Sequence, residues 1–108
     1  MRRSLSRADF DSLRSGGRRL SGRFFSLQSA PLPEGTRSSK FSCVVSKKVA
    51  AKAVARNLIK RRCRALVHPL LKTLVRPSAL AFHAKREAAK ASFAEMREDV
   101  IALFARLA

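Results

Sequence analysis

Apolar residues fall along this chain in short runs whose period changes, and each change marks a new element. Ser6-Arg7-Ala8-Asp9 has the form of a capping box, with Leu5 and Phe10 at the two positions of a hydrophobic staple, so a short helix is predicted there. Gly16-Gly17 predicts its end, at a left-handed cap and a turn. Between Arg18 and Ser29, Leu20 and then Phe24-Phe25-Ser26-Leu27 lean toward extended structure and predict one short strand and one longer one. Ala30-Pro31-Leu32-Pro33-Glu34-Gly35 breaks that pattern, and Thr36 to Ser39 stay polar, so a loop is expected. Strand character resumes at Lys40 to Ser46, where the two-residue period puts Phe41, Cys43 and Val45 on one face.

From about Ala51 the period becomes helical. Ala55, Ile59, Cys63, Leu66 and Leu70 recur at steps of three and four and form one apolar side. Arg56, Lys60 and Arg64 form a row beside them, with Asn57 and Arg61 in a third, so the outward face is a ridge of positive charge. Pro69 disfavours helical geometry at His68, which predicts a helix end there and irregular structure on to Pro77. Ala79 to Lys85 reads as a last strand with Leu80, Phe82 and Ala84 on one face. Ser92-Phe93-Ala94-Glu95 is a second capping box, opening a helix with Met96, Val100, Leu103, Phe104 and Leu107 as its apolar positions. The expected architecture is a single α+β domain over residues 1–108, one small sheet with three helices packed on it.

Charge changes the picture most. Lys and Arg number 24 against 7 acidic residues, for a formal charge of +17, far more than solubility requires. The acids lie only at Asp9, Asp11, Glu34, Glu87, Glu95, Glu98 and Asp99, so the interval from Gly35 to Arg86 holds 14 cations and no anion. Such a stretch has no local ion pairs to draw on, and a polyanion is its natural partner. A membrane surface would also attract it, but no apolar run approaches the ~20 residues of a spanning helix and no secretory signal opens the chain. Cys43 and Cys63 sit in apolar patterns, so reduced core thiols and a cytoplasmic protein are expected.

Residues for catalysis by the chain itself are scarce. His68 and His83 are the only histidines and neither lies among acids, so both are expected to be structural. Cys43, Cys63, His68 and His83 fit no zinc spacing, and no glycine-rich phosphate loop is present. Glu95, Glu98 and Asp99 cluster near the start of the last helix, where complementarity to the helix dipole accounts for them. No catalytic residue, no metal ligand and no bound cofactor are therefore expected. Ser46-Lys47-Lys48-Val49 through Arg64 is different, placing 8 cations and no anion in one segment, the footprint of nucleic-acid contact.

Val45-Ser46-Lys47-Lys48-Val49, followed by Arg56-Asn57, Ile59-Lys60-Arg61-Arg62 and Arg64, resembles the signature of bacterial ribonuclease P proteins. These are subunits of an RNA-based enzyme that trims the 5′ leader from precursor tRNA. The likeness extends to Leu5–Phe10, Gly22-Arg23-Phe24-Phe25, Ala84-Lys85-Arg86 and Ser92-Phe93. It implies an α-β-β-β-α-β-α order with a left-handed βαβ crossover, an exception to the usual handedness. It also implies that Arg56, Asn57, Lys60, Arg61 and Arg64 contact the catalytic RNA, with Lys47 and Lys48 at the edge of a cleft for the single-stranded leader. Phe10, Arg14, Gln28 and Ser46 are the implied cleft residues, although Phe10 serves equally as a staple. The chain departs from the family at Leu58, where a second arginine is usual, and at Arg14 and Gln28, where aromatic residues are common.

The resemblance implies a non-catalytic subunit whose partners are the catalytic RNA and precursor tRNA, with Mg²⁺ held by the RNA and no obligate protein partner. A structural ribosomal protein or general RNA chaperone is the alternative, since small basic α+β domains serve there too. A transcriptional regulator fits less well, for the basic helix lacks a helix-turn-helix partner.

Overall fold

The computed structural model describes residues 5–33 and 35–107; Glu34 of the expected loop lies outside them. Helix α1 spans Arg7–Gly16, followed by strands β1 (Arg18–Ser21), β2 (Phe25–Pro31) and β3 (Lys40–Val44). Helix α2 (Ala53–Val67), strand β4 (Ser78–Ala84) and helix α3 (Phe93–Leu107) complete the expected order. The strands form one mixed sheet in the order β1-β2-β4-β3. β2 pairs antiparallel with both β1 and β4, and β3 lies parallel to β4. Parallel neighbours need a crossover connection, and α2 supplies it.

Alternation along the strands divides the sheet into two unlike faces. Phe25, Leu27, Leu80 and Phe82 point to one side, where Ile59, Cys63 and Val67 of α2 and Met96, Val100, Leu103 and Phe104 of α3 close over them. Phe82 is the hub of this core, meeting Phe25 edge-on at 6.4 Å and stacking on Phe104 at 6.0 Å. Each such side chain, fully withdrawn from water, contributes roughly 1.5–3 kcal/mol before chain entropy is counted. On the opposite face Leu13 of α1 packs on Ala30 and Ala81, with Leu5 and Phe10 partly buried beside them. The small residues Ala30 and Ala81 let α1 lie close, but α1 covers only that end of the face.

Four local expectations need correction. Gly17 closes α1 in extended geometry (φ −79°) and not in a left-handed cap, its N–H donating to the Leu13 carbonyl. Glycine is required there by close approach, since a Cβ would press on the Leu13 carbonyl oxygen and stand 3.0 Å from its Cα. β2 runs through Ala30 and Pro31 instead of stopping at Ser29. β1 ends opposite Ser29, and Leu32 N–H bonds to Pro77 O on the β4 side, so the missing N–H of Pro31 faces the side that has no strand. Pro69 does not release the chain into irregular structure: His68 keeps helical angles and residues His68–Thr73 tighten into a 3-10 helix pinned by buried Leu71. Proline fits the first turn of that new helix because no intrahelical N–H is needed there.

The fourth correction is Asp99, which does not serve the helix dipole. Its carboxylate is buried and accepts hydrogen bonds from the backbone N–H groups of Arg23 (2.7 Å), Phe24 (2.9 Å) and Phe25 (3.0 Å). It thereby pins the turn between β1 and β2 to α3. Gly22 leaves room for it, because a Cβ at that position would lie 2.6 Å from Asp99 Oδ1.

Candidate nucleic-acid interface

Two capping boxes fix the helices that flank the sheet. Ser6 Oγ accepts from Asp9 N–H while Asp9 accepts from Ser6 N–H at 2.9 Å, and the latter bond holds the Asp9 carboxyl below its ordinary pKa. Ser92 and Glu95 repeat the exchange at α3, with the same effect on Glu95. α2 has no such aid: its N-cap, Lys52, makes no side-chain bond and its first turn has no acid.

α2 is held by its buried row, Ile59, Cys63, Leu66 and Val67, which leaves the cations facing away from the core. Asn57, Arg61 and Arg64 are exposed, and Arg56 and Lys60 are half-buried. Arg56 has a second task, since its Nη1 donates to the carbonyls of Ala50 (3.0 Å) and Ala51 (2.7 Å) and ties the loop after β3 to the helix. In that loop Val45 is buried and Ser46 O accepts from Val49 and Ala50, so Ser46, Lys47 and Lys48 project from a fixed turn into solvent. Among the described residues the ion pairs are Arg14–Asp11 and Lys40–Asp9, and neither involves a cation of α2.

The sheet face that α1 leaves open holds a groove of about 450 Å³ lined by Arg7, Phe10, Arg14, Gln28 and His83. Phe10, Arg14 and Gln28, drawn from two elements, are thus brought together as expected. Ser46 is not in the lining; it follows Val44, which is the β3 partner of His83, and so lies past the same end of the sheet. Arg14 is ion-paired with Asp11, which steadies its guanidinium at the rim.

Arg7 and His83 are the groove residues that sequence reasoning missed. The signal was available: Arg7 lies three residues before Phe10 and seven before Arg14 on one helical face, and His83 alternates with the core residues Phe82 and Ala84. His83 Nε2 lies 2.9 Å from Gln28 Oε1, and burial, aided by the nearby Arg19, pushes the imidazole pKa down. The ring is therefore neutral at pH 7. With Oε1 accepting, its proton sits on Nε2, Nδ1 is left as an acceptor, and the Gln28 amide N–H₂ is left as a donor. The groove floor offers hydrogen bonds and its walls offer an aromatic ring and two guanidiniums.

His68 and His83 stand apart, and among the described residues no three of His, Cys, Asp and Glu gather into a group that could hold a metal ion. No helix of the described residues is long and apolar enough to cross a membrane.

The family model described as Ribonuclease P matches residues 2–108. Similar curated proteins are the ribonuclease P protein components of Thermus aquaticus, 43% identical over 85% of this chain, and of a Synechococcus strain, 32% identical over 87%. These alignments span 51% and 72% of the relatives' own lengths, so this chain accounts for about half of the Thermus aquaticus protein. Among solved structures, the ribonuclease P protein of Thermotoga maritima superposes with a TM-score of 0.82 at 22% identity, over 97% of both chains. That of Staphylococcus aureus superposes at 0.81 and 20% identity, over 94% of this chain and 91% of its own. The arrangement of helices on the mixed sheet is theirs, and with the family model spanning nearly every residue, this chain belongs to the ribonuclease P protein family.

Proposed function

We propose that this protein is the RNA-binding subunit of a ribonuclease P holoenzyme, active in the cytoplasm, in which the catalytic RNA cleaves precursor tRNA and the protein binds both RNAs. The observation that carries this reading is that one sheet bears two such surfaces: on one face α2, whose cations have no acidic partner among the described residues, and on the other a groove lined by Phe10, Arg14, Gln28, Arg7 and His83. The helix face, with Arg56, Asn57, Lys60, Arg61 and Arg64, packs against the catalytic RNA and releases counterions from its phosphates. Lys47 and Lys48 extend that charge, and the groove takes the single-stranded 5′ leader, one base stacking on Phe10 without regard to sequence.

Mg²⁺ is assigned to the RNA. Asp9, Glu95 and Asp99 are already engaged by backbone N–H groups and Asp11 by Arg14, so these carboxylates do not fit a metal site. The protein's part in the metal chemistry is indirect: its positive field lowers phosphate repulsion, so that the folded RNA needs less Mg²⁺.

The test is reconstitution of the purified protein with its cognate RNA and a precursor tRNA at low Mg²⁺. Leader removal is expected from the mixture and not from the protein alone. Cleavage that persists after the RNA is digested, and follows the protein through chromatography, would overturn the assignment. Recovery of ribosomal RNA as the sole co-purifying species would favour a ribosomal protein instead.

A further inference from the structure

We propose that Cys43 and Cys63 form an oxidisable pair that closes to an internal disulfide under peroxide and staples β3 to α2. This inference is independent of which RNA the protein binds. Cys43 lies on β3, where it pairs with Phe82, and Cys63 lies on α2, so the two reach each other across the interface between sheet and helix. Their sulfurs are 2.6 Å apart although the residues are 20 positions apart in the chain. Both are free thiols, and they are the only cysteines in the sequence, so no other internal pairing competes.

Their environments differ in a way that assigns the order of events. Cys43 is half-buried and so the more accessible of the two, whereas Cys63 has 0% of its surface exposed. The hydrogen bond with Cys43, and then burial, hold the Cys63 thiol well above its ordinary pKa, so it stays protonated and unreactive toward reagents in solution. Cys43 is therefore the sulfur that meets peroxide. It attacks one peroxide oxygen, the O–O bond breaks, and the products are a Cys43 sulfenic acid and water, the thiol proton leaving with the departing hydroxide. Oxidation removes the Cys43 thiol whose hydrogen bond held the Cys63 proton, and Cys63 sulfur, already in contact, then attacks the sulfenic sulfur as that proton passes to the departing oxygen. The S–S bond forms, the S–O bond breaks, and hydroxide leaves with the Cys63 proton as a second water. Each sulfur gives up one electron and peroxide takes two.

The placement indicates what the bond would do. β3 leads into the turn that bears Lys47 and Lys48, and α2 carries Arg56 to Arg64, so the staple joins the strand before that turn to the basic helix. Cys43 packs against the main core and not against α1, which leaves the groove around Phe10 on the other side of the sheet. The bond is thus expected to stabilise the fold, by restricting the unfolded chain, without reshaping the groove.

The experiment uses the full-length protein, freed of reductant and treated with a small excess of hydrogen peroxide, beside an untreated control. Mass spectrometry after denaturation and iodoacetamide should show loss of two hydrogens and no alkylation, reversed by dithiothreitol. Thermal unfolding of the oxidised monomer should move up by several degrees. Cys43→Ser and Cys63→Ser should each abolish both changes. Monomer in which both thiols still take iodoacetamide, accumulation of sulfinic acid at Cys43, or disulfide-linked dimers as the main product would each overturn the proposal. Because the first readout needs only the unmutated protein, poor folding of a serine variant does not decide the outcome. An oxidised monomer that melts no higher than the reduced one would overturn the stapling role.

Discussion

α2 and α3 are both 15 residues long and close over the same core, yet they use charge in opposite ways. α3 spends its charge inside the molecule. Glu95 completes its cap, Asp99 holds the β1–β2 turn, and Arg106 donates to Ser21 O at 3.0 Å. α2 has no side-chain cap and no acid in its first turn, and its cations repel one another. Taken alone it would be a poor helix, and its buried face and tertiary packing are what form it. Charge that lowers the stability of its own element, and that the fold leaves unpaired, is charge kept for a partner.

The sharpest way to break this comparison is to remove the inward charge. Asp99→Ala leaves the N–H groups of Phe24 and Phe25 buried without acceptors, at roughly 1–3 kcal/mol each, so a loss of about 2 to 6 kcal/mol is expected. In thermal unfolding that is a fall of at least about 10 °C, whereas Glu98→Ala, on the exposed side of the same helix, should stay within about 0.5 kcal/mol of the parent. Equal effects from the two would mean that Asp99 acts only through general charge balance.

The outward charge is tested by its salt dependence. Replacing Lys60, Arg61 and Arg64 together by Ala should leave the melting temperature unchanged or slightly raised, since like charges are removed. RNA affinity should fall about tenfold or more, with a log–log salt slope shallower by about 2 to 3. Arg56 is left out because its bonds to Ala50 and Ala51 give it a structural share. An unchanged slope would show that the ridge does not touch phosphate.

The same contrast explains what the sequence disclosed. Periodicity located β3, β4, α2 and α3, because each buries one face and burial imposes a period of two or of about 3.6, whereas the 3-10 helix at His68–Thr73 is too short to show one. Both capping boxes were legible because their bonds span only three residues. The role of Asp99 was not, since its partners lie 74 to 76 residues away, although its place between Met96 and Leu103 on the buried side of α3 set it apart from Glu95 in the first turn. Gly22-Arg23-Phe24-Phe25 stood out only as part of a family likeness, and its physical basis, three N–H groups turned onto one carboxylate, required the fold. In the groove, Phe10, Arg14 and Gln28 came from the resemblance, while His83 was set aside as a sheet residue although alternation turns it away from the core; its contact with Gln28 depends on the register of β2 and β4.

Leader contact should be separable from contact with the catalytic RNA, since Phe10 lies on α1, across the sheet from α2. Phe10→Ala is expected to weaken precursor binding by ~1 to 3 kcal/mol, the worth of one base-aromatic stack, only when several leader nucleotides are present. The measurement is holoenzyme affinity against leader length. Phe10 is partly buried against Leu13, so a change in stability is also expected, and Phe10→Leu, which keeps the staple and removes the ring, isolates the stack. A defect equally large with leaderless tRNA would reduce Phe10 to a structural residue.

The smallest expected effect sharpens the boundary of the basic face. Leu58 is half-buried on α2, among exposed Asn57 and Arg61 on one side and buried Ile59 on the other. An arginine there can lay its stem along the apolar surface and carry its guanidinium to water, so Leu58→Arg should cost no more than about 1 kcal/mol of stability. If the RNA lies over this part of the helix, the new cation meets a phosphate and the salt slope steepens by ~0.7 to 0.9, with a correspondingly modest gain in affinity. Leu58→Gln, polar but uncharged, should leave the slope alone and so separates charge from loss of packing. A lower melting temperature with no change of slope in Leu58→Arg would place the edge of the RNA contact between Leu58 and Arg61, and would assign Leu58 to the core side of the helix.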